Sequence, residues 1–168
     1  REDSILLDPR NIDLGARLII NLEKLYLSLK KLSLKSSEID EYYQLSHKLG
    51  IAQKDLNKLQ NKIFGIECNF EELNGIDFKK GCYVGQENTA RIKLKNKLSK
   101  RLFPIQLVEG KLNGNDLIYN GDNEVGKVLI DNNYPFALFK NLNENLILEQ
   151  KLTCKNSVLR VLKPKWIK

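Results

Sequence analysis

One cysteine of this chain lies among residue types that suit thiol chemistry. Cys82 belongs to the octapeptide Lys80-Gly81-Cys82-Tyr83-Val84-Gly85-Gln86-Glu87. A thiol becomes nucleophilic or able to bind metal when its pKa falls, and nearby cations or a helix N-terminus lower that pKa. Lys79 and Lys80 supply positive charge, and a helix beginning near Gly85 would add its dipole. The alternative is a small thiol buried in a tight turn, since free cysteine is often buried.

The positive charge of the chain is concentrated beside this cysteine. Residues 79–101 hold eight of the 28 Lys and Arg residues and one of the 21 acidic residues, so their net charge equals the +7 of the whole chain. Arg91, Lys93, Lys95 and Lys97 occur at every second position, which predicts a strand with one cationic face. Such a face would hold phosphates or a polyanionic tail. The alternative is an ordinary solvated strand face. The aromatic residues on which the bases of a single-stranded nucleic acid would stack are missing, which counts against that ligand.

Glu67 is a second candidate for ligand binding. It follows the apolar residues Ile63, Phe64 and Ile66, so we place it at the end of an apolar strand. A carboxylate there would accept two parallel hydrogen bonds from a planar donor pair, such as the amide and amino groups of a pterin. The alternative, a surface glutamate at a strand end, is what composition alone favours.

The remaining cysteines and the single histidine form no metal-binding pattern. Cys68 and Cys154 lie far from Cys82, no CxxC pair occurs, and His47 is the only histidine. This spacing predicts no metal site and reduced thiols in a reducing compartment. We interpret Cys68 and Cys154 as core or surface thiols and His47 as an ordinary helix residue.

Length and composition set the class of protein. The chain has 168 residues, of which 42% are hydrophobic and 29% charged, and this suits one compact domain or two small ones. No apolar run approaches the ~20 residues that span a bilayer, and no signal peptide is visible. We therefore expect no membrane partner. Because the chain starts at Arg1 and contains no Met, we expect its natural N-terminus to be missing.

The sequence predicts mixed helical and extended elements in its first part. Residues 15–34 fit both helical and strand spacing. A helix is expected over residues 38–49, with Gly50 closing it. A further helical turn is expected over residues 86–91.

From about residue 98 the pattern changes to short β-type runs separated by turn residues such as Asn113-Gly114-Asn115-Asp116. Several short strands at this spacing predict a small antiparallel barrel or sandwich, with Trp166 sealing its edge. We therefore predict an α+β fold, with a partial mixed α/β domain over residues 1–97 followed by a small antiparallel β-barrel over residues 98–168.

The octapeptide resembles the K-G-C-Y-x-G-Q-E signature of the YgfZ family, folate-binding proteins related to the T-protein of the glycine cleavage system, GcvT. The similarity continues through residues 69–78 and through Thr89-Ala90-Arg91. Asp8-Pro9-Arg10, with Leu14-Gly15 and Arg17, resembles the D-P-R…L-G-x-R segment of that family. Residues 117–128 resemble its C-terminal barrel.

This resemblance implies that the chain is the C-terminal part of a tripartite fold around a central folate cavity, without the N-terminal portion of the family. It implies tetrahydrofolate, or a polyglutamylated folate, as the ligand. It also implies a role in the assembly or maintenance of iron–sulfur clusters, with an indirect effect on tRNA modification. The partners would be iron–sulfur assembly or client proteins, in the cytoplasm of a bacterium or in the mitochondrial matrix of a eukaryote.

The resemblance also assigns roles to residues. Cys82 would be the functional thiol, and Lys80 shares its motif. Glu67 matches the acidic position that holds the pterin. The remaining folate contacts would come from Tyr83, Gly85, Gln86, Glu87 and Arg91. Because one thiol cannot hold a cluster, any ligated cluster would be transient and shared with the cysteines of a partner or with glutathione.

Two other functions stay open on sequence grounds. A tetrahydrofolate-dependent aminomethyltransferase of the glycine cleavage system would have a similar fold, although its sequence typically differs at the octapeptide. A basic tRNA-binding module would use residues 79–101. Whether the protein is an enzyme is therefore open, with a folate-dependent assembly factor favoured over an aminomethyltransferase.

Overall fold

The structure, a computed structural model, describes residues 4–94, 98–140 and 151–167. Its α-helices are α1 Leu25–Lys31, α2 Ile39–Lys48 and α3 Gln86–Leu94, and its 3-10 turns are Ile12–Leu14, Leu22–Lys24 and Leu56–Leu59. Its strands are β1 Ser4–Leu7, β2 Ala16–Ile19, β3 Lys100–Glu109, β4 Leu117–Asn120, β5 Asn123–Ile130, β6 Phe136–Lys140, β7 Leu152–Cys154 and β8 Ser157–Val161. None of the described helices is both long enough and apolar enough to cross a membrane.

Strands β3 to β8 close into an antiparallel barrel with the order β3-β6-β5-β4-β7-β8. Alternation along β3 sends Phe103 and Ile105 into the barrel and Leu102 out of it, because successive side chains of a strand point to opposite faces. Inside, the rings of Phe103 and Phe139 meet edge to face at 6.1 Å. The predicted α+β fold with a small antiparallel barrel is confirmed.

The outer face of the barrel carries a second apolar cluster, which holds the preceding segment in place. Its buried members are Leu102, Leu129, Ile130 and Phe136. Apolar residues from the chain before the barrel pack against them, namely Ala52, Leu59, Ile63 and Cys68. Burying one such side chain contributes about 1.5–3 kcal/mol. This cluster therefore positions residues 52–68 over the barrel wall.

Helix α2 is attached to the barrel by polar and aromatic contacts. His47 donates a hydrogen bond from Nε2 to the Pro135 carbonyl at 3.0 Å, and its ring meets Phe136 edge-on at 5.2 Å. The Tyr134 hydroxyl donates to the Asp40 carboxylate. Burial lowers the pKa of His47, which favours the neutral ring in this contact. The interpretation of His47 as an ordinary helix residue is thus incomplete, because it joins α2 to the barrel.

Trp166 connects the end of α2 with the last residues described. Its ring packs against the inner core of the barrel, as expected for a residue that seals the barrel edge. Its indole Nε1 donates to the Leu49 carbonyl at 2.7 Å. Gly50, with φ of 75°, lies against Pro164 and Trp166.

Residues 4–34 divide into several elements, and the stretch 15–34 is neither one helix nor one strand. Strands β1 and β2 pair antiparallel, and α1 follows after a 3-10 turn. Their apolar side chains are largely exposed, with Ile5 at 60%, Leu22 at 80% and Tyr26 at 73%. A two-stranded hairpin needs packing against other elements to be stable in water. The exposed apolar side chains of this segment are therefore unusual.

We predict that Gly50→Ala lowers the free energy of unfolding by about 2–5 kcal/mol, since left-handed strain of ~1–2 kcal/mol adds to an overpacking cost of ~1–3 kcal/mol. The new methyl group would overlap the Pro164 ring. Urea unfolding measures this loss. Gly121→Ala is the matched control, because Gly121 has φ of 59° but open space around its Cβ position. Equal losses for the two variants would show that the contact with Pro164 contributes nothing.

Candidate functional site

Cys82 lies on an exposed loop between two residues with left-handed backbone. Gly81 and Gly85 have φ of 69° and 83°, and a Cβ atom at either position would meet nothing within 4 Å. The glycines are therefore required by backbone conformation and not by close packing. Cys82 itself is exposed, so the alternative of a thiol buried in a tight turn is wrong.

Lys80 and Tyr83 flank Cys82 in the sequence, and their side chains are in contact in the structure. The Lys80 ammonium is 4.6 Å from the centroid of the Tyr83 ring, within the range of a cation–π interaction worth ~0.5–1 kcal/mol at an exposed site. The Tyr83 backbone N–H donates to Gln86 Oε1 at 3.1 Å, and the Gln86 N–H donates to the Tyr83 carbonyl at 3.3 Å. These contacts tie residues on both sides of Cys82 to each other within the loop.

The cationic strand predicted over residues 91–97 is wrong in its described part, because Arg91 and Lys93 lie in helix α3. Two residues apart on a helix means about 200° of rotation, so their side chains point in different directions. Lys93 pairs with Glu71 and also lies 5.4 Å from the Phe78 ring. Lys95 and Lys97 lie outside the described residues. The helix expected after Gly85 does form, beginning at Gln86.

Glu87 and Arg91 occupy one exposed side of α3. Together with Gln86, Ala90 and Leu94 they line a shallow depression. Neither Glu87 nor Arg91 makes an ion pair with any residue in the described part of the chain. Both are available to a ligand or partner that approaches this side of the helix.

The three cysteines have different environments. Cys154 is buried in the barrel, and burial raises its thiol pKa. Cys68 is half-buried, and burial with the adjacent Glu67 charge raises its pKa to about 11. Because thiolate is the reactive form, both are poor nucleophiles at neutral pH. Cys82 is the exposed thiol of the chain.

Glu67 is not at the end of a strand, which corrects the sequence-based expectation. It lies in consecutive turns, where Asn69 and Asn74 adopt positive φ of 64° and 56°. Its side chain is buried, and Oε2 accepts a hydrogen bond from the Phe64 backbone N–H at 3.0 Å. One oxygen of the carboxylate is therefore already used to hold its own turn.

A cavity of about 480 Å³ lies beside Glu67, within the size range of ligand pockets. Most of its lining is apolar, including Ile51, Leu59 and Phe70, and Cys68 contributes its half-buried thiol. Glu67 does not line it, although its near neighbours Gly65 and Cys68 do. None of the lining residues comes from the loop of Cys82, so the structure does not bring the cavity and the exposed thiol into one pocket.

Arg10 is a residue at this cavity whose role the sequence analysis did not identify. Its guanidinium donates from Nε and Nη2 to the Asp8 carboxylate at 2.9 and 2.8 Å, and from Nη2 to the Tyr42 hydroxyl at 3.0 Å. Arg17 also donates to Asp8 at 2.8 Å. These hydrogen bonds, of which those from Arg10 have the largest effect, hold the pKa of Asp8 well below its usual range. The D-P-R…L-G-x-R pattern was the signal, since its three charged residues form this cluster.

No group of three or more His, Cys, Asp or Glu side chains in the described ranges is arranged to hold a metal ion.

The chain is similar to proteins named as iron–sulfur cluster assembly factors. It is 37% identical over 103 residues to the mitochondrial assembly factor IBA57 homolog of Dictyostelium discoideum, over 61% of this chain and 25% of that protein. It is 32% identical over 108 residues to mitochondrial IBA57 of Mus musculus, over 64% and 29%. It is 34% identical over 97 residues to the Neurospora crassa homolog, over 58% and 22%.

The chain matches about a quarter of the length of these curated relatives. No protein-family model matches it. The comparisons therefore establish relatives of one named class for part of the sequence.

We predict that a thiol-reactive maleimide at pH 7 modifies Cys82 first, with modification of Cys68 at least ~100-fold slower because its raised pKa leaves little thiolate. Peptide mass mapping over time measures the order. Cys82→Ser should remove the fast phase, and Cys68→Ser should retain it. A fast phase that survives in Cys82→Ser would contradict the exposures described above.

Proposed function

We propose that this chain is part of a folate-binding protein of the YgfZ family that acts in iron–sulfur cluster assembly or maintenance, with Cys82 as its functional thiol. The observation that carries the proposal is the octapeptide with an exposed Cys82, in a chain whose relatives are named iron–sulfur cluster assembly factors. An effect on tRNA modification would then be indirect. Because the relatives are named mitochondrial, a eukaryotic source would place the protein in the matrix.

The loop geometry supports a role in which Cys82 contacts a cluster in transit or the protein that carries it. The thiol is accessible, and the Lys80–Tyr83 contact lies in the same loop. Further cluster ligands would come from a partner or from glutathione, since a cluster needs several thiolates.

The fit to tetrahydrofolate is partial. The cavity of about 480 Å³ has a suitable size and an apolar lining for a flat ring, as cofactor pockets usually have. Glu67 lies beside this cavity and one of its oxygens accepts a bond from Phe64. A pterin in the cavity would therefore sit against apolar walls, and to use the remaining oxygen of Glu67 it would have to reach past the residues that line the cavity.

The exposed apolar faces of β1, β2 and α1 support the proposal that the chain is one part of a larger, tripartite fold. Side chains such as Leu7 at 59%, Ile19 at 59% and Leu27 at 66% exposure are costly to leave in water at ~25 cal/mol per Å². Further polypeptide packed on these faces would bury them.

The central test is Cys82→Ala, made in the natural gene so that flanking sequence is retained. We expect the variant protein to accumulate normally, because Cys82 is exposed, while the activity of enzymes that carry [4Fe–4S] clusters falls to the level of cells lacking the gene. Val84→Ala is the matched control, since Val84 is fully exposed in the same loop. Full enzyme activity with Cys82→Ala would refute the role of the thiol.

A second test addresses folate. Glu67→Gln keeps an acceptor for the Phe64 N–H, so we expect stability within ~0.5 kcal/mol of the wild type. We expect tetrahydrofolate to bind roughly tenfold more weakly, because charge-assisted hydrogen bonds contribute about 1.5–3 kcal/mol. Isothermal titration calorimetry on the protein with its flanking sequence measures the change. Glu109→Gln is the control, since Glu109 is exposed and does not line the cavity. Unchanged affinity in Glu67→Gln would remove Glu67 from the folate site.

A further inference from the structure

A groove of about 970 Å³ lies on the side of the barrel where α2, β8 and the last residues described come together. It shares no lining residue with the cavity beside Cys68, and none with the loop of Cys82. Its walls come from the end of α2, from the turn Ile12–Leu14 and from residues 160–166. The proposed function does not use this groove.

The groove is rich in positive charge. Lys48, Arg160, Lys163 and Lys165 line it, and Asp13 is the one carboxylate among its described lining residues. Arg160 donates to the neutral side chain of Gln106 at 2.9 Å. No carboxylate in the described ranges forms an ion pair with Lys48, Arg160 or Lys165. Cations gathered in a concave surface attract an anionic ligand, because the walls focus their field.

The same groove has an apolar component with a fixed aromatic ring. Leu45, Val161 and Trp166 line it. Trp166 is held by its bond to the Leu49 carbonyl and by packing on the barrel core. A ring packed in this way offers part of one surface to an apolar side chain. It is not a free platform on which a base stacks, as single-stranded nucleic acids require.

We propose that this groove docks an acidic peptide segment of a partner protein, with one apolar side chain of that segment placed against Trp166. The cations of the groove are complementary to the acidic residues of the peptide, and the apolar lining is complementary to the apolar residue that lies between those acids. The mixed character of the lining argues for a peptide over a nucleic acid, whose phosphates would use the lysines but leave the exposed parts of Leu45 and Trp166 without a partner.

Trp166 supplies its own readout, because it is the single tryptophan of the chain. The probe is a short synthetic peptide of Asp and Glu around one central Leu, titrated into the 168-residue chain. We expect saturable binding with a blue shift of the Trp166 emission, since the Leu side chain would exclude water from the indole. The same peptide with Gln in place of Leu should bind more weakly and shift the emission less.

Charge variants test the location of binding. Lys48→Gln combined with Lys165→Gln should weaken peptide binding roughly tenfold at low salt, as expected for two lost charge contacts. The matched control is Lys62→Gln with Lys151→Gln, two exposed lysines outside the groove, which should change the affinity less than about twofold. Asp13→Asn removes the carboxylate of the groove and should tighten binding, so the test holds even if the double variant folds poorly.

Three results would overturn the proposal. One is the absence of saturable peptide binding. A second is an equal loss in the groove variant and the control, which would reduce the effect to general charge attraction. A third is tighter binding of a thymidine oligonucleotide than of the peptide, lost in the groove variant, which would make a nucleic acid the occupant.

Discussion

The attachment of one buried asparagine to the first barrel strand determines where the rest of the upstream chain lies. Asn69 is 1% exposed and donates from its side-chain amide to the Leu102 carbonyl at 2.8 Å. The Leu102 N–H in turn donates to the Glu67 carbonyl at 2.9 Å. Because these bonds are buried, breaking them would leave polar groups without partners at a cost of about 1–3 kcal/mol each. The turns before Cys82 are therefore fixed to the barrel.

This attachment explains why the candidate residues fall into two places. It turns Cys68 toward the barrel wall, where it packs on the outer apolar cluster and lines the cavity. It also buries Glu67 against the Phe64 backbone. The chain then continues to the loop of Cys82, none of whose residues 80–85 lines the cavity. A ligand in the cavity and a partner at Cys82 could therefore bind at the same time.

The barrel could be predicted from the sequence because its short runs of β-type residues are separated by turn residues such as Asn113-Gly114-Asn115-Asp116. Strand β7 was not predicted, since three residues are too few to show a period. The turn at Glu67 was missed because it depends on the left-handed backbone of Asn69, which a run of apolar residues does not reveal. Alternating charges were taken for a strand, although the first turn of helix α3 is set by Gln86 and its contacts with Tyr83.

The count of charges in the sequence overstates the field at the thiol. Lys93 is paired with Glu71 and Arg101 with Glu72, so both cations serve to hold α3 and the start of β3 against the turns. Lys80, by contrast, makes its contact with Tyr83 inside the loop that carries Cys82. A paired ion adds little to the potential at a distance, because its partner cancels it within a Debye length. The chemistry of the thiol loop therefore depends on its immediate neighbours, while Lys93 and Arg101 serve to join parts of the fold.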